Sequence, residues 1–190
     1  MGYSQAQKEK THKRIVAIAS KRFREKGLAG FAIAELMKEA GLTVGGFYKH
    51  FDSRDELVAE AVSAAFGVWQ RQKEAAESGG QPFSFAKLID DYVSDAHRKN
   101  PGAGCAFSAL APEIARSDKR TRALTSDQVK ADLELLVGLL PGKDKRAARS
   151  RAILTFGALV GAMSLARAVS DEVLSREILK TVADILKDPA

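Results

Sequence analysis

Between Ile33 and Leu57 the chain reads IAELMKEAGLTVGGFYKHFDSRDEL, and no other stretch restricts the fold as much. Ile33, Leu36, Met37 and Ala40 recur at three- and four-residue spacing, which gives a helix one apolar face. Gly41 ends that helix, because glycine accepts the left-handed conformation that a helix C-terminus needs. Thr43 predicts the N-cap of a second helix. Val44 and Phe47 are expected to face inward on it, with Phe51 closing it. Helix, short Gly-containing turn, helix is the layout of a helix-turn-helix. In that motif the second helix lies in the DNA major groove and its first residues meet base edges.

Charge supports this reading. The net charge of the 190-residue chain is +6. Residues 1–26 carry Lys8, Lys10, Lys13, Arg14, Lys21, Arg22, Arg24 and Lys26 against only Glu9 and Glu25, so the whole excess sits beside the motif. Such a cluster suits phosphate contacts, or else is the solvated face of an amphipathic helix. On the second helix Thr43 can contact a base or phosphate, Val44 a thymine methyl, and Lys49 a base or the backbone. Gly45 and Gly46 each weaken a helix by about 1 kcal/mol. They fit either a close approach to DNA or tight packing against another helix. Asp52 or Ser53 is expected to cap a third helix, with Glu56 three residues beyond Ser53 making a capping box.

The run GLTVGGFYKHFDSRDEL also resembles the TetR-type (tetracycline-repressor-like) family of bacterial transcription regulators. The likeness rests on Gly41, Leu42, Thr43, Gly46, Phe47, Tyr48, His50, Phe51, Arg54 and Leu57, and it covers roughly residues 10–60. It implies phosphate contacts at Tyr48 and His50, and an Arg54 directed toward the DNA side. Ala32 departs from the pattern, which usually has Thr or Ser as the cap there, so the first turn should be weaker by about 1 kcal/mol.

The rest of the chain reads as helices. Residues 1–8 are expected to be frayed, followed by a helix over 9–26 that Gly27 ends. One long helix is expected over 54–77, then further helices over 83–98, 105–115, 118–140, 145–169 and 171–187. Ser78 to Pro82, Asn100 to Gly104 and Pro141-Gly142 mark the breaks. No alternating strand pattern of useful length occurs. The fold class expected is therefore all-α, with about nine helices: a three-helix head containing the helix-turn-helix, and a C-terminal helical domain for ligand binding and dimerisation. By likeness to the family, residues 1–57 form the DNA-binding domain and 58–190 the effector-binding and dimerisation domain.

Gly157 and Gly161 sit one turn apart on one helix face, and Leu174, Ile178, Val182 and Ile185 form a stripe on the last helix. Two terminal helices with such faces suit a four-helix bundle across a twofold axis, or ordinary packing within one chain. A homodimer is expected, because a single head contacts too few base pairs for useful specificity.

The family likeness implies a ligand-responsive regulator, most simply a repressor released from a palindromic operator on double-stranded DNA by a small-molecule or reactive effector. The effector would sit among the middle helices, with Phe66, Trp69, Tyr92, Val93, His97, Cys105, Phe107 and Leu110 as candidates. Each is equally at home in a plain core. Cys105 is the one thiol and opens a helix, where backbone N–H groups favour a thiolate. The Gly104-Cys105 step also resembles a branch of the family that responds to oxidants or electrophiles, while a small buried hydrophobe is the other reading of the residue. Two other functions remain open: a DNA-binding protein without an effector or governed by a protein partner, and more remotely a helical enzyme or carrier.

No catalytic constellation is legible. His12, His50 and His97 lack metal-ligand spacing, and Gly45-Gly46 is not a phosphate-cradling loop. No enzyme, metal or cofactor is expected. The polar N-terminus has no secretory h-region, and the apolar run 152–166 is short for a bilayer and flanked by Arg149, Arg151 and Arg167. With a lone cysteine, a cytoplasmic protein without membrane partners is expected.

Overall fold

The computed structural model describes residues 5–188. Within them are ten α-helices, two 3-10 helices and no strand, as the all-α reading requires. Every helical segment read from the sequence is present, and two of them are interrupted. The chain forms two compact units, Met1–Phe66 with Pro101–Thr125, and Gly67–Asn100 with Ser126–Ala190.

The first unit is built around helix α1 (Gln5–Lys26), which buries Ile15, Ala19 and Phe23. Helix α1 begins earlier than expected, so residues 5–8 are helical, whereas residues 1–4 of the supposedly frayed segment lie outside the described residues. Gly27 ends the helix at φ +81°. Helix α2 (Ile33–Glu39) starts at Ala32 without a side-chain cap, as its sequence predicts. It stops in a Schellman motif: Leu42 N–H donates to the Met37 carbonyl and Gly41 N–H to the Lys38 carbonyl, with Gly41 at φ +69°.

The second helix of the motif, η1 (Val44–Lys49), is wound as a 3-10 helix. Thr43 occupies its N-cap but makes no side-chain cap bond, against expectation. The tighter winding already satisfies Gly46 N–H at the Thr43 carbonyl, 3.0 Å away. Helix α3 (Arg54–Ala64) opens on the predicted capping box: Ser53 Oγ accepts from Glu56 N–H, and Glu56 Oε2 accepts from Asp52 N–H. A 3-10 helix η2 (Pro101–Ala103) and helix α7 (Ala106–Ile114) complete this unit. Helix α1 packs against α2, α3, η2 and α7. Polar contacts fasten it: Arg24 donates to the Gly102 carbonyl, and Glu113 Oε1 accepts from Leu28 N–H.

The helix expected over 54–77 is broken. Phe66 N–H turns back to the Ser63 carbonyl, and Gly67 adopts φ +70° before helix α4 (Val68–Ser78) begins. Only glycine takes that conformation without strain, so the break lies in the backbone at Gly67. The helix expected over 83–98 is likewise two: α5 (Phe85–Tyr92) and α6 (Asp95–Lys99). Ser94 divides them, because its hydroxyl donates to the Asp91 carbonyl and accepts from His97 N–H. The side chain thereby substitutes for the next turn of helix.

In the second unit α9 (Lys145–Ala168) and α10 (Glu172–Lys187) pair lengthwise, each capped by an aspartate, Asp144 and Asp171. Helix α5 packs on α10, and α6 on α9. Buried Arg98 ties α6 to α10, donating to both Glu172 carboxylate oxygens, to Asp95 and to Ser175 Oγ. Ser175 in turn donates to the Ala166 carbonyl of α9. Held by the exposed carboxylates of Glu172 and Asp95 and by Ser175, the Arg98 guanidinium fixes the local register of three helices.

Helix α8 (Lys119–Leu139) begins in the first unit and continues into the second. It buries Leu133 and Leu136, and also Asp132, which no spacing in the sequence singled out. Burial raises the Asp132 carboxyl from 3.8 to about 6, against the hydrogen bond from Gln128 that lowers it. Between about pH 4 and 6 the folded chain therefore holds a proton the unfolded chain has lost, and stability falls as pH rises through that window. Asp132→Asn removes this cost. The variant should gain up to about 3 kcal/mol over the native protein at pH 7. The gain should vanish near pH 4 when both are unfolded with urea, and a difference independent of pH would refute the assignment.

Candidate nucleic-acid interface

The apolar side of η1 is anchored by Phe47 and Phe51, each 1% exposed, with ring centroids 5.3 Å apart. Leu36 and Met37 of α2 and Leu57 of α3 are buried in the same core. This arrangement turns the remaining residues of η1 outward. Val44 is 52% exposed and Tyr48 72%, and Thr43, Gly45 and Lys49 are exposed as well. Val44 was expected to face inward; it is exposed instead, and Phe47 is the buried residue of η1.

The two glycines can now be interpreted. Neither takes a positive φ. A Cβ at Gly45 would meet no atom within 4 Å, and one at Gly46 only Met37 Cε at 3.6 Å and Thr43 Oγ1 at 3.8 Å, which is ordinary contact. Packing within the chain and backbone conformation therefore do not require them. A segment without Cβ atoms is suited to close approach by an external partner.

Beside this face lies a ring cluster the sequence did not reveal. His12 of α1 stacks on Phe51 at 4.5 Å, and its Nε2 is 2.6 Å from Glu60 Oε2 of α3. His50, at the end of η1, lies 6.0 Å from His12 between ring centroids. Its Nδ1 is buried without a hydrogen-bond partner. Burial, then the positive charges of His12, Lys8 and Lys49, hold the His50 imidazole below its ordinary pKa. Spacings of 38 and 48 residues separate His12 from His50 and Glu60, so only the fold brings them together.

The basic cluster of α1 divides in two. Lys8, Lys10, Lys13 and Arg14 are exposed. Arg22, by contrast, is committed to Glu39 and Glu25, which hold its guanidinium even more firmly protonated, and Arg24 is turned to the Gly102 carbonyl. Lys26 lies over the Phe31 ring at 5.1 Å. Arg54 is half-buried and donates to the Leu28 carbonyl.

The effector candidates fall into two clusters, one in each unit. Phe66 stacks on Phe107 at 5.3 Å in the first, where Leu110 is buried and Cys105 is the half-buried N-cap of α7. In the second, Trp69 meets Tyr92 at 5.9 Å, Tyr92 meets His97 at 4.6 Å, and Val93 is half-buried nearby in sequence. Phe156 of α9 joins this cluster 5.5 Å from Trp69. No local spacing singles out Phe156, because its partner Trp69 lies far away in the sequence. Burial lowers the pKa of His97, against its hydrogen bond to the Tyr92 carbonyl.

On α9, Gly157 and Gly161 are exposed, and a Cβ at either would meet nothing within 4 Å. Ile153, Leu154 and Leu165 flank them and are exposed too. On α10, Leu174 and Ile185 are exposed and Ile178 and Val182 half-buried. Each of the two helices thus carries exposed apolar residues along its length. Helix α9 is also the one described helix long and apolar enough, by length and composition, to cross a membrane. Among the described residues no three His, Cys, Asp or Glu side chains gather as metal ligands.

Comparison with known proteins agrees with this geometry. Over 193 aligned positions the chain is 24% identical to an HTH-type transcriptional regulator of Haemophilus influenzae, covering 94% of this chain and 90% of that one. Its fold is similar to that of the reduced form of E. coli NemR, with a TM-score of 0.74 and 18% identity over 94% of this chain and 95% of the other. A transcriptional regulator of the TetR family from Cytophaga hutchinsonii is equally similar, with a TM-score of 0.74 and 18% identity over 98% and 96% of the two chains. Residues 15–61, which span α1, the helix-turn-helix and the first turns of α3, match the bacterial regulatory proteins of the tetR family. With that match over the very segment that builds the exposed η1 face, residues 15–61 are similar to the DNA-binding head of the tetR family, and the chain along its length is similar to HTH-type transcriptional regulators.

Proposed function

We propose that the protein acts in the cytoplasm as a homodimeric, effector-responsive repressor of a palindromic operator. The observation that carries this reading is the exposed face of η1, where Val44, Gly45 and Gly46 offer a low surface for base edges and Tyr48, Lys49 and His50 stand beside it for phosphates. Thr43 sits at its leading end. Arg54 serves this face indirectly, by bracing the Leu28 carbonyl.

Two roles are assigned along the chain: DNA recognition to residues 1–57, effector binding and dimerisation to 58–190. They are divisions of labour, whereas the compact units also place 58–66 and 101–125 with the head. The aromatic clusters around Phe66–Phe107 and Trp69–Tyr92–His97 favour a moderately apolar effector. Its binding would change the spacing of the two heads and lower operator affinity. The apolar surface of α9 and α10 supports dimerisation, since a monomer rarely leaves such a surface uncovered. Selection from a random duplex pool with the purified protein tests the core of the proposal. An enriched palindrome with half-sites about one helical turn apart is expected. Recovery of no common sequence, or of an asymmetric one, would count against a dimeric repressor.

A further inference from the structure

We propose that His12 is a positioning residue for DNA binding: paired with Glu60 and stacked on Phe51, it keeps His50 as a neutral N–H donor to the operator backbone. This rests on the reading of η1 as the DNA-contacting segment. The geometry behind it spans three elements. Phe51 is fixed in the core, and His12 of α1 lies against it at 4.5 Å with the rings 29° from parallel. The other tether of His12 is Glu60 of α3, 2.6 Å from its Nε2. Since α1 packs on α3, both tethers are part of the head's framework.

His50 borders this pair, 6.0 Å from His12 and 6.4 Å from Phe51. A cationic imidazole must donate through both ring nitrogens. Here Nδ1 is buried with no partner, so an N–H at that position would be orphaned along with its charge. The neutral tautomer with its proton on Nε2 avoids this. The charged neighbours act in the same direction: Lys8 from α1 and Lys49 from η1 are cations beside it, and His12 joins them whenever it carries a proton. Glu60 is the carboxylate that α3 contributes, and it is engaged by His12. A phosphate oxygen would then accept from His50 Nε2–H as from a neutral donor, with no counterion released on its account.

The test uses the full-length protein, a short random-sequence duplex at low salt, and pH between about 5.5 and 8. Wild type and His50→Gln should show the same pH profile and the same salt slope, differing only by a constant factor in affinity. In His12→Gln the repelling charge is lost while a hydrogen bond to Glu60 is kept. His50, freed of that repulsion though still buried at Nδ1, should then keep a proton to higher pH than in wild type, so that at the acid end binding tightens by up to about fivefold per protomer and the salt slope steepens. The double variant His12→Gln/His50→Gln should lose this acid gain. A purely architectural His12 would change affinity by one factor at every pH, which overturns the proposal, as does a pH profile that differs between wild type and His50→Gln. Ring-nitrogen chemical shifts of labelled wild-type protein supply a second readout. A neutral Nε2–H signature at His50, free and bound, is expected, and an imidazolium signature in either state near pH 7 refutes the proposal. If wild type binds no duplex at low salt, the DNA-contact reading fails, and the shifts of the free protein still decide whether His50 is held neutral.

Discussion

Affinity for operator DNA should fall about a thousandfold between 50 and 200 mM salt, linearly on logarithmic axes. Each protomer presents Lys8, Lys10, Lys13 and Arg14 on the exposed face of α1 and Lys49 on η1. A dimer that places only about six of these ten cations on phosphates reaches that loss. Arg22 and Arg24 contribute nothing to the slope, because Glu39, Glu25 and the Gly102 carbonyl already hold them. Lys49→Ala should weaken binding to every sequence alike and reduce the slope by about two for the dimer. Tyr48→Phe should weaken binding on all sequences without changing the slope, since it removes a neutral donor. Titrations on one duplex over a salt series measure all of these, and a slope near zero would dismiss the electrostatic account.

In the proposed homodimer, Gly161→Glu should convert the dimer to a monomer. In the isolated protomer this position is solvent-facing, with nothing within 4 Å of an added Cβ, so the substitution meets no clash in its own chain. Glutamate is also a better helix former than glycine by several tenths of a kcal/mol, so α9 itself should be no less stable. Across a twofold bundle, however, the side chain would be buried against a partner surface of Ile153, Leu154 and Leu165, and an unpaired buried charge costs several kcal/mol. Leu174→Glu should act similarly from α10, where the leucine is 41% exposed in the protomer. Sedimentation velocity should show two monomeric variants with unchanged helical content. A dimer unaltered in both would remove α9 and α10 from the interface.

The helix-turn-helix was legible because its signals are local. The Gly41 stop, the Ser53–Glu56 capping box and the uncapped Ala32 each involve residues within one turn of one another, and all three stand in the structure as read. Where the reading failed, two local signals competed. The 54–77 stretch has continuous helical spacing, but the glycine at position 67 lets the backbone turn left-handed with Phe66 buried before it. At Ser94 a side-chain hydroxyl competes with the backbone for the same hydrogen bonds. The direction of Val44 was misread because burial at the first residue of a short helix depends on what the rest of the fold places over it, which local spacing does not encode.

By itself, the sequence determined the helical class, the position of the helix-turn-helix and the apolar stripes of the last two helices, since these follow from spacing along one strand of chain. Only the tertiary structure decided which charges are available and which are spent. Arg22 and Arg24 look identical to Lys13 and Arg14 in the sequence, yet Glu39 and Gly102, brought in from other elements, take them out of the exposed set. His12, Glu60, Phe51 and His50 likewise become one cluster only when α1 lies on α3. Burial of Asp132 belongs to the same class of fact. Solvent exposure and charge pairing depend on residues far apart in the chain, and no periodicity encodes their meeting.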